Sequence, residues 1–146
     1  MAISAADYGC RPLSVVFLLC LLAGCGDDRV PTHPTRGKVV FPDGSPVRTG
    51  VVELSSDDHE LTATGKINPD GTFVLGTYDI ADGAVAGPHR VIVLQMIIND
   101  GTVVHTLDHG EPVDPKFASY DSSGLRTVVV TGEENVLQLN VTPVSK

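Results

Sequence analysis

The sequence is poor in positive charge, in aromatic side chains and in helical patterning. Its 10 Lys and Arg stand against 18 Asp and Glu, which gives a net charge of −8. No basic stripe of the kind that binds phosphate is present, so nucleic acid is excluded as a partner. No segment carries a helical apolar stripe of useful length, which argues against a helical bundle.

Cysteines and long apolar runs are also scarce. All three cysteines, Cys10, Cys20 and Cys25, lie within the first 25 residues. The rest of the chain therefore has no thiol with which to form a disulfide. The apolar run at residues 13–22 is about half of the roughly 20 residues that a transmembrane helix needs. A run of this length after a polar start that contains Arg11 is typical of the apolar region of a signal peptide.

The segment Leu22-Ala23-Gly24-Cys25 ends this run and resembles the bacterial lipobox at all four positions. The resemblance implies that a diacylglycerol is attached to the Cys25 sulfur and that residues 1–24 are a signal peptide cleaved before Cys25. Two or three acyl chains would anchor the protein lastingly to a membrane. An ordinary secreted protein whose leader happens to contain a cysteine is the alternative, and Gly26 leaves the choice between inner and outer membrane open.

Removal of residues 1–24 from the 146 leaves 122, which is enough for one domain. Residues 25–35 contain Asp27, Asp28, Pro31 and Pro34 with little apolar patterning, so they are predicted to be a flexible spacer. From residue 36 onwards the chain shows short β-branched runs separated by Asp-Gly and Pro. This pattern predicts an all-β domain over residues 36–146.

The strands of this domain are predicted from runs bounded by turn residues. The seven predicted strands are residues 38–41, 51–54, 61–67, 72–75, 90–94, 126–130 and 136–141. We expect Gly44 and Gly71 to adopt positive φ in the turns before strands two and four, and the last two strands to form a hairpin. Residues 97–125 are predicted to be a long loop or insertion. Seven strands fit a single antiparallel β-sandwich.

The core of the sandwich is predicted from the residues that alternate towards one face of each strand. They are Val39, Phe41, Val52, Leu54, Ile67, Phe73, Leu75, Val91, Val93, Val128, Leu137 and Leu139.

A family resemblance covers most of residues 36–141. The motifs Gly37-Lys38-Val39-Val40-Phe41, Asp43-Gly44-Ser45-Pro46-Val47, Gly50-Val51-Val52, Asp70-Gly71-Thr72-Phe73, Gly76-Thr77-Tyr78, Asp82-Gly83-Ala84, Gly87-Pro88-His89-Arg90-Val91 and Asp114-Pro115-Lys116-Phe117 carry it. They resemble carboxypeptidase regulatory-like and transthyretin-like domains, in particular the small lipoproteins of planctomycete-type bacteria. The resemblance implies a transthyretin-like sandwich of about seven strands, with no assigned activity and without the zinc site of the peptidase.

The best candidates for catalytic chemistry are His105 and His109. Their spacing fits a metal-binding pair on a helix, but the sequence around them favours helix weakly, and in a strand they would lie about 13 Å apart. With an acid such as Asp114 they define the alternative function, a metal-dependent hydrolase. His33, His59 and His89 are expected at the surface. No Gly-x-Ser-x-Gly motif is present.

Asp79 and Asp82 are the candidate ligands of a weak calcium site. Calcium takes six to eight oxygens, so further acids would have to come from Asp57, Asp58 or Asp121. The alternative is that Asp82-Gly83 is only a turn and that Asp79 is solvated. No other cofactor is expected.

The function predicted from these features is a lipid-anchored module of the bacterial cell envelope that faces the periplasm or the exterior. It is predicted to be no enzyme, and to display a non-catalytic β-sandwich for structural support or for binding an envelope protein or glycan.

Overall fold

The computed structural model describes residues 28–95 and 110–145, and these residues form β-strands and loops. The strands in them are β1 (Thr32–His33), β2 (Thr35–Val40), β3 (Val51–Ser56), β4 (Thr62–Lys66), β5 (Thr72–Val74), β6 (Ala84–Val85), β7 (Gly87–Leu94), β8 (Leu125–Val129) and β9 (Asn135–Asn140). A single 3₁₀ turn spans Pro115–Ala118 within the same residues. The predicted all-β class is confirmed. All seven predicted strands have a counterpart, and the two-residue strands β1 and β6 were not predicted.

The strands form two larger sheets and one small pair. The four-stranded sheet has the order β4-β3-β7-β8, and the three-stranded sheet has the order β5-β2-β9. Every pair in the four-stranded sheet is antiparallel. In the three-stranded sheet β2 and β9 run parallel, from Thr35 opposite Asn135 to Val40 opposite Asn140. The prediction of a wholly antiparallel arrangement is therefore wrong for this pair.

The predicted hairpin between the last two strands is also wrong. β8 is an edge strand of the four-stranded sheet, whereas β9 is an edge strand of the three-stranded sheet. The chain between them crosses from one sheet to the other, and the buried Asn135 fixes this crossing. Its side chain accepts a hydrogen bond from Val130 N at 2.8 Å and donates one to Val130 O at 3.0 Å.

The inner faces of both larger sheets contribute to one hydrophobic cluster, which makes the all-β fold sandwich-like. Ten of the predicted core residues are buried in it, namely Val39, Phe41, Val52, Leu54, Ile67, Phe73, Leu75, Val91, Val93 and Leu139. Leu137 is partly buried against the cluster. Val128 is 62% exposed, so its prediction is wrong. It lies opposite Pro88, and its neighbour Val129, opposite Gly87, is the buried residue of β8.

Close packing at the centre of the three-stranded sheet depends on Gly37. It lies on the middle strand β2, directly opposite Phe73 of β5 and Leu137 of β9. A Cβ at this position would lie 2.6 Å from Phe73 Cζ and would overlap Leu137 O. The missing side chain therefore makes room for the buried aromatic ring of the neighbouring strand.

The two Asp-Gly turns follow the prediction, whereas the start of the fold does not. Gly44 and Gly71 both have φ of +84°, as their Asp-Gly turns require. Thr32 and His33 fall within the predicted spacer, yet they pair with Val85 and Ala84 of β6. Regular structure therefore begins before residue 36.

The described part of the predicted loop, residues 110–124, packs on the four-stranded sheet. Phe117 in the 3₁₀ turn is buried in the core, and Val113 N donates a hydrogen bond to Gln95 Oε1 at 2.8 Å. Asp114 caps the turn by accepting from Lys116 N at 3.0 Å. The segment has little strand structure, but it adds two apolar residues, Val113 and Phe117, to the core.

Candidate functional site

The two main functional sites predicted from the sequence lie outside the described residues. Cys25 and the rest of the predicted lipobox precede residue 28, and His105 and His109 fall between residues 95 and 110. The lipidation site and the histidine pair therefore stay predictions. Among the residues that the structure describes, no helix has the length and apolar character needed to cross a bilayer.

The loop at residues 76–83 is held in shape by the Asp82 carboxylate. Asp82 Oδ1 accepts a hydrogen bond from Thr77 N at 2.6 Å, and Asp82 Oδ2 accepts from Tyr78 N at 3.1 Å and Asp79 N at 3.2 Å. The hydroxyl of Thr77 closes the loop by donating to Gly83 O at 2.8 Å. A carboxylate that accepts several backbone N–H bonds gives a loop one preferred conformation.

Two residues of this loop, Ala81 and Gly83, have positive φ. Ala81 has φ of +64°, which is uncommon for a residue with a side chain, and Gly83 has φ of +94°. A Cβ on Gly83 would overlap His33 O on the neighbouring strand β1. The turn at Asp82-Gly83 is therefore required by close packing against β1.

The structure brings Asp79 and Asp82 into one loop but gives them different roles. Asp82 directs both oxygens at backbone N–H groups, whereas exposed Asp79 contributes only its own N–H to that arrangement. Asp57 is engaged elsewhere, with Arg90 and Arg126. Within residues 28–95 and 110–145, no group of three or more His, Cys, Asp or Glu side chains is placed to hold a metal ion. The calcium site stays a prediction that no ligand cluster in these residues supports.

Two open grooves flank this loop and meet at Tyr78. One lies between the loop and β4 and has a volume of about 420 Å³. The other has a volume of about 660 Å³ and is lined by residues 28–30, residues 58–61 and Tyr78. The guanidinium carbon of Arg29 lies 5.2 Å from the centroid of the Tyr78 ring, a cation–π distance. The start of the described chain is therefore packed against the loop.

A second constellation, the Tyr120 cluster, lies on the outer face of the four-stranded sheet and consists of Glu53, Asp57, Arg90, Tyr120 and Arg126. The Tyr120 hydroxyl donates to Glu53 Oε1 at 2.5 Å, and the Arg90 guanidinium carbon lies 5.1 Å from the centre of the Tyr120 ring. Asp57 contacts Arg90 Nε at 3.2 Å and Arg126 Nη1 at 2.9 Å. Burial, followed by the hydrogen bond to Glu53, raises the pKa of Tyr120. The phenol therefore stays protonated and acts as a donor.

The Tyr120 cluster was not predicted from the sequence. Strand alternation places Glu53 and Arg90 on outward positions, and this part of the pattern could be recognised. Tyr120 lies in the irregular segment, where no periodicity shows which way a side chain points. The contacts of Tyr120 with Glu53 and Arg90 attach the segment of residues 110–124 to the sheet.

His89 is buried, so the prediction that it lies at the surface is wrong. Its exposed fraction is 1%, and it lies opposite Ser56 on the inner face of β7. Its Nδ1 lies 3.0 Å from Gly87 O. Burial lowers the pKa of His89, and this effect outweighs the carbonyl contact and the nearby Asp57 and Asp58, which raise it. The imidazole is therefore held neutral within the fold.

Comparisons with known proteins return nothing for this chain. No family model, no curated protein and no solved structure matches it.

Proposed function

We propose that this chain is a bacterial envelope lipoprotein that is anchored to a membrane through a diacylglycerol on Cys25. The single observation that carries the proposal is the sequence Leu22-Ala23-Gly24-Cys25 at the end of a ten-residue apolar run. The position of the folded region supports it, because the first strand among the described residues begins at Thr32, seven residues after Cys25. A compact module immediately after the lipidated residue suits display at a membrane surface, facing the periplasm or the exterior.

The displayed module is a transthyretin-like, carboxypeptidase regulatory-like sandwich that binds an envelope protein or glycan or gives structural support. Two observations favour this assignment. Two sheets of four and three strands contribute to one core. The Asp-Gly turns on which the resemblance depends have positive φ at Gly44, Gly71 and Gly83.

The engagement of the described polar groups favours binding or support over catalysis. In the part of the chain that the structure describes, Asp82 is used by backbone N–H groups, and Tyr120 is bonded to Glu53. His89 is held neutral inside the domain. Each of these groups makes its contacts within the domain, and this arrangement supports a structural or binding role.

Intact-mass analysis of the protein from the membrane fraction tests the proposal. We expect a mature chain that begins at Cys25 and carries the mass of two or three acyl chains. Cys25→Ser removes the sulfur to which the lipid is attached, so we expect an unprocessed precursor or a product without acyl mass. A wild-type N-terminus elsewhere, or a wild-type chain without acyl mass, contradicts the proposal. Cys20→Ser is the matched control, because its thiol lies in the predicted signal peptide, and it should leave the mature mass unchanged.

A further inference from the structure

We propose that the loop at residues 76–83 is the membrane-contacting surface of the anchored domain, and that Ile80 at its tip enters the interface of a zwitterionic bilayer. The inference rests on the proposed lipidation of Cys25 and adds an orientation to it. It starts from the packing of Arg29 on Tyr78, where the guanidinium carbon lies 5.2 Å from the ring centroid. This contact places the beginning of the described chain against the loop.

The length of chain between Cys25 and Arg29 limits how far the loop can lie from the lipid. Four residues span at most about 14 Å even when fully extended. A domain of this size is roughly 35 Å across. Because the tether is shorter than the domain is wide, the surface next to Arg29 lies closest to the bilayer.

The side chains at this surface fit the interface of a membrane. Ile80 is 99% exposed, whereas the next most exposed large apolar side chain among the described residues, Val136, is 65% exposed. Burial of Ile80 among acyl chains would remove its apolar surface from water. Tyr78 lies two residues away, and tyrosine favours the headgroup level of a bilayer. Asp82 holds the loop in one conformation, so little ordering is needed on contact.

The charges around the loop specify the kind of bilayer. Asp28, Asp58, Glu60 and Asp79 lie along the two grooves that flank it, against the cations Arg29 and Lys66. This acidic surface would be repelled by anionic headgroups, and salt would reduce the repulsion. We therefore expect contact with zwitterionic lipid, and we expect the carboxylates to restrict insertion to the tip of the loop.

A second exposed apolar residue, Val128, provides a reference position with which Ile80 can be compared. Val128 on β8 is 62% exposed, but β8 is the edge strand farthest from β4 in the four-stranded sheet. Three strand spacings, or about 14 Å, separate it from β4, which borders the loop. A domain oriented by its tether would keep Val128 away from the lipid while Ile80 touches it.

Depth-dependent fluorescence quenching on the full lipidated protein in zwitterionic vesicles tests the orientation. Once residues 1–24 are removed, the only native cysteine, Cys25, carries the lipid, so one introduced cysteine gives a single labelling site. Ala81→Cys places a fluorophore next to Ile80 and leaves Ile80 intact, and Val128→Cys is the matched control. With quenchers on the acyl chains, we expect at least threefold more quenching at residue 81 than at residue 128.

A further variant tests the role of Ile80 itself. Ile80→Asp in the Ala81→Cys background should reduce quenching at residue 81 to the level seen at residue 128. The fold should be unchanged in circular dichroism, because Ile80 is exposed. Vesicles containing anionic lipid should reduce quenching at residue 81, and added salt should restore part of it.

The outcomes separate this proposal from the one on which it rests. Acyl mass on the protein with equal quenching at residues 81 and 128 overturns the membrane-contacting surface and leaves the anchor in place. A protein without acyl mass overturns both. A fluorescence change at residue 81 that follows protein density rather than the lipid quencher assigns the surface to a second copy of the chain, and this also overturns the proposal.

Discussion

Asp82 determines the conformation of the 76–83 loop because its carboxylate satisfies three backbone N–H groups. Asp82→Ala removes both acceptor oxygens and with them all three hydrogen bonds. We expect this variant to lower the free energy of unfolding by roughly 1–3 kcal/mol, the cost of leaving backbone donors poorly satisfied. Asp82→Asn keeps one oxygen and should lose less. Urea unfolding monitored by circular dichroism measures both changes.

Asp79 provides the matched control for this prediction. It is an acid in the same loop, but it is exposed and gives the arrangement only its backbone N–H. Asp79→Ala should change stability by no more than about 0.5 kcal/mol. Equal losses of stability in Asp79→Ala and Asp82→Ala would show that the negative charge of the loop maintains its conformation, and not the hydrogen bonds from the backbone N–H groups.

His89 makes the stability of the domain depend on pH. Burial holds its folded-state pKa below the unfolded value of about 6.5, while Asp57 and Asp58 oppose the shift and His59 adds to it. Between the folded and unfolded pKa values the unfolded chain binds more protons. The contribution of neutral His89 to the free energy of unfolding is therefore fully present above about pH 6.5. It is lost as the pH falls towards the folded-state pKa.

The pH prediction is measured by urea unfolding of the wild type and His89→Gln between pH 5 and 8. The wild type should become less stable below about pH 6.5, and His89→Gln should show a smaller dependence in the same window. His33→Gln, at a partly exposed position on β1, is the control and should keep the wild-type dependence, because His33 is not among the groups that shift the pKa of His89. An unchanged pH dependence in His89→Gln would contradict the assignment.

The errors at residue scale have a common physical cause. In the run Val128-Val129-Val130 three β-branched residues follow one another, so alternation cannot show which of them points inward. A shift of one residue exchanges the two faces of a strand. Here Val129 is buried and Val128 is exposed. His89 is predicted at the surface because it stands at the start of the predicted strand 90–94, although it shares the inward parity of Val91 and Val93.

At the scale of strands and turns, the positions of the strands along the chain were predictable from the sequence, whereas their pairing into sheets was not. The Asp-Gly turns and the β-branched runs fix where strands begin and end, because they act over a few residues. Pairing is decided by contacts across the fold. Thus β8 and β9 are close in sequence yet lie in different sheets. The Asp82-Gly83 turn could be predicted by the same local rules, whereas the Tyr120 cluster required contact between the irregular segment and the sheet.

Asn135 fixes the crossing between β8 and β9, and its replacement tests that role. Its side chain accepts from Val130 N and donates to Val130 O and to Glu133 O, and its exposed fraction is 8%. Asn135→Ala should lower the free energy of unfolding by roughly 1–3 kcal/mol, since both backbone groups of Val130 lose their partner. Chemical denaturation measures the loss.

The control for Asn135 lies at the other end of the same strand. Asn140 is exposed, and its Oδ1 accepts a surface hydrogen bond from Gln138 Nε2 at 3.3 Å. Asn140→Ala should change stability by about 0.5 kcal/mol or less. If Asn135→Ala is as mild as Asn140→Ala, the turn between the sheets is held by the backbone alone.

For the whole molecule, stability comes from the core rather than from surface charge. The ion pair between Arg36 and Glu134 joins side chains that are 56% and 52% exposed, and solvent screens such pairs. The hydrophobic cluster, in contrast, includes residues from both larger sheets and from the irregular segment. We therefore expect the two sheets to unfold as one cooperative unit.

Phe73 tests this cooperativity, because it belongs to the three-stranded sheet and is 1% exposed within the shared cluster. Phe73→Ala should cost about 3–5 kcal/mol, a large share of the roughly 5–15 kcal/mol that stabilises a domain. Val74→Ala, on the same strand but facing solvent at 49% exposure, should cost far less. Native-state hydrogen exchange should show equal losses of protection for the amides of β2 and β9 and for those of β3 and β7. If β3 and β7 keep wild-type protection while β2 and β9 lose theirs, the sheets are separate cooperative units.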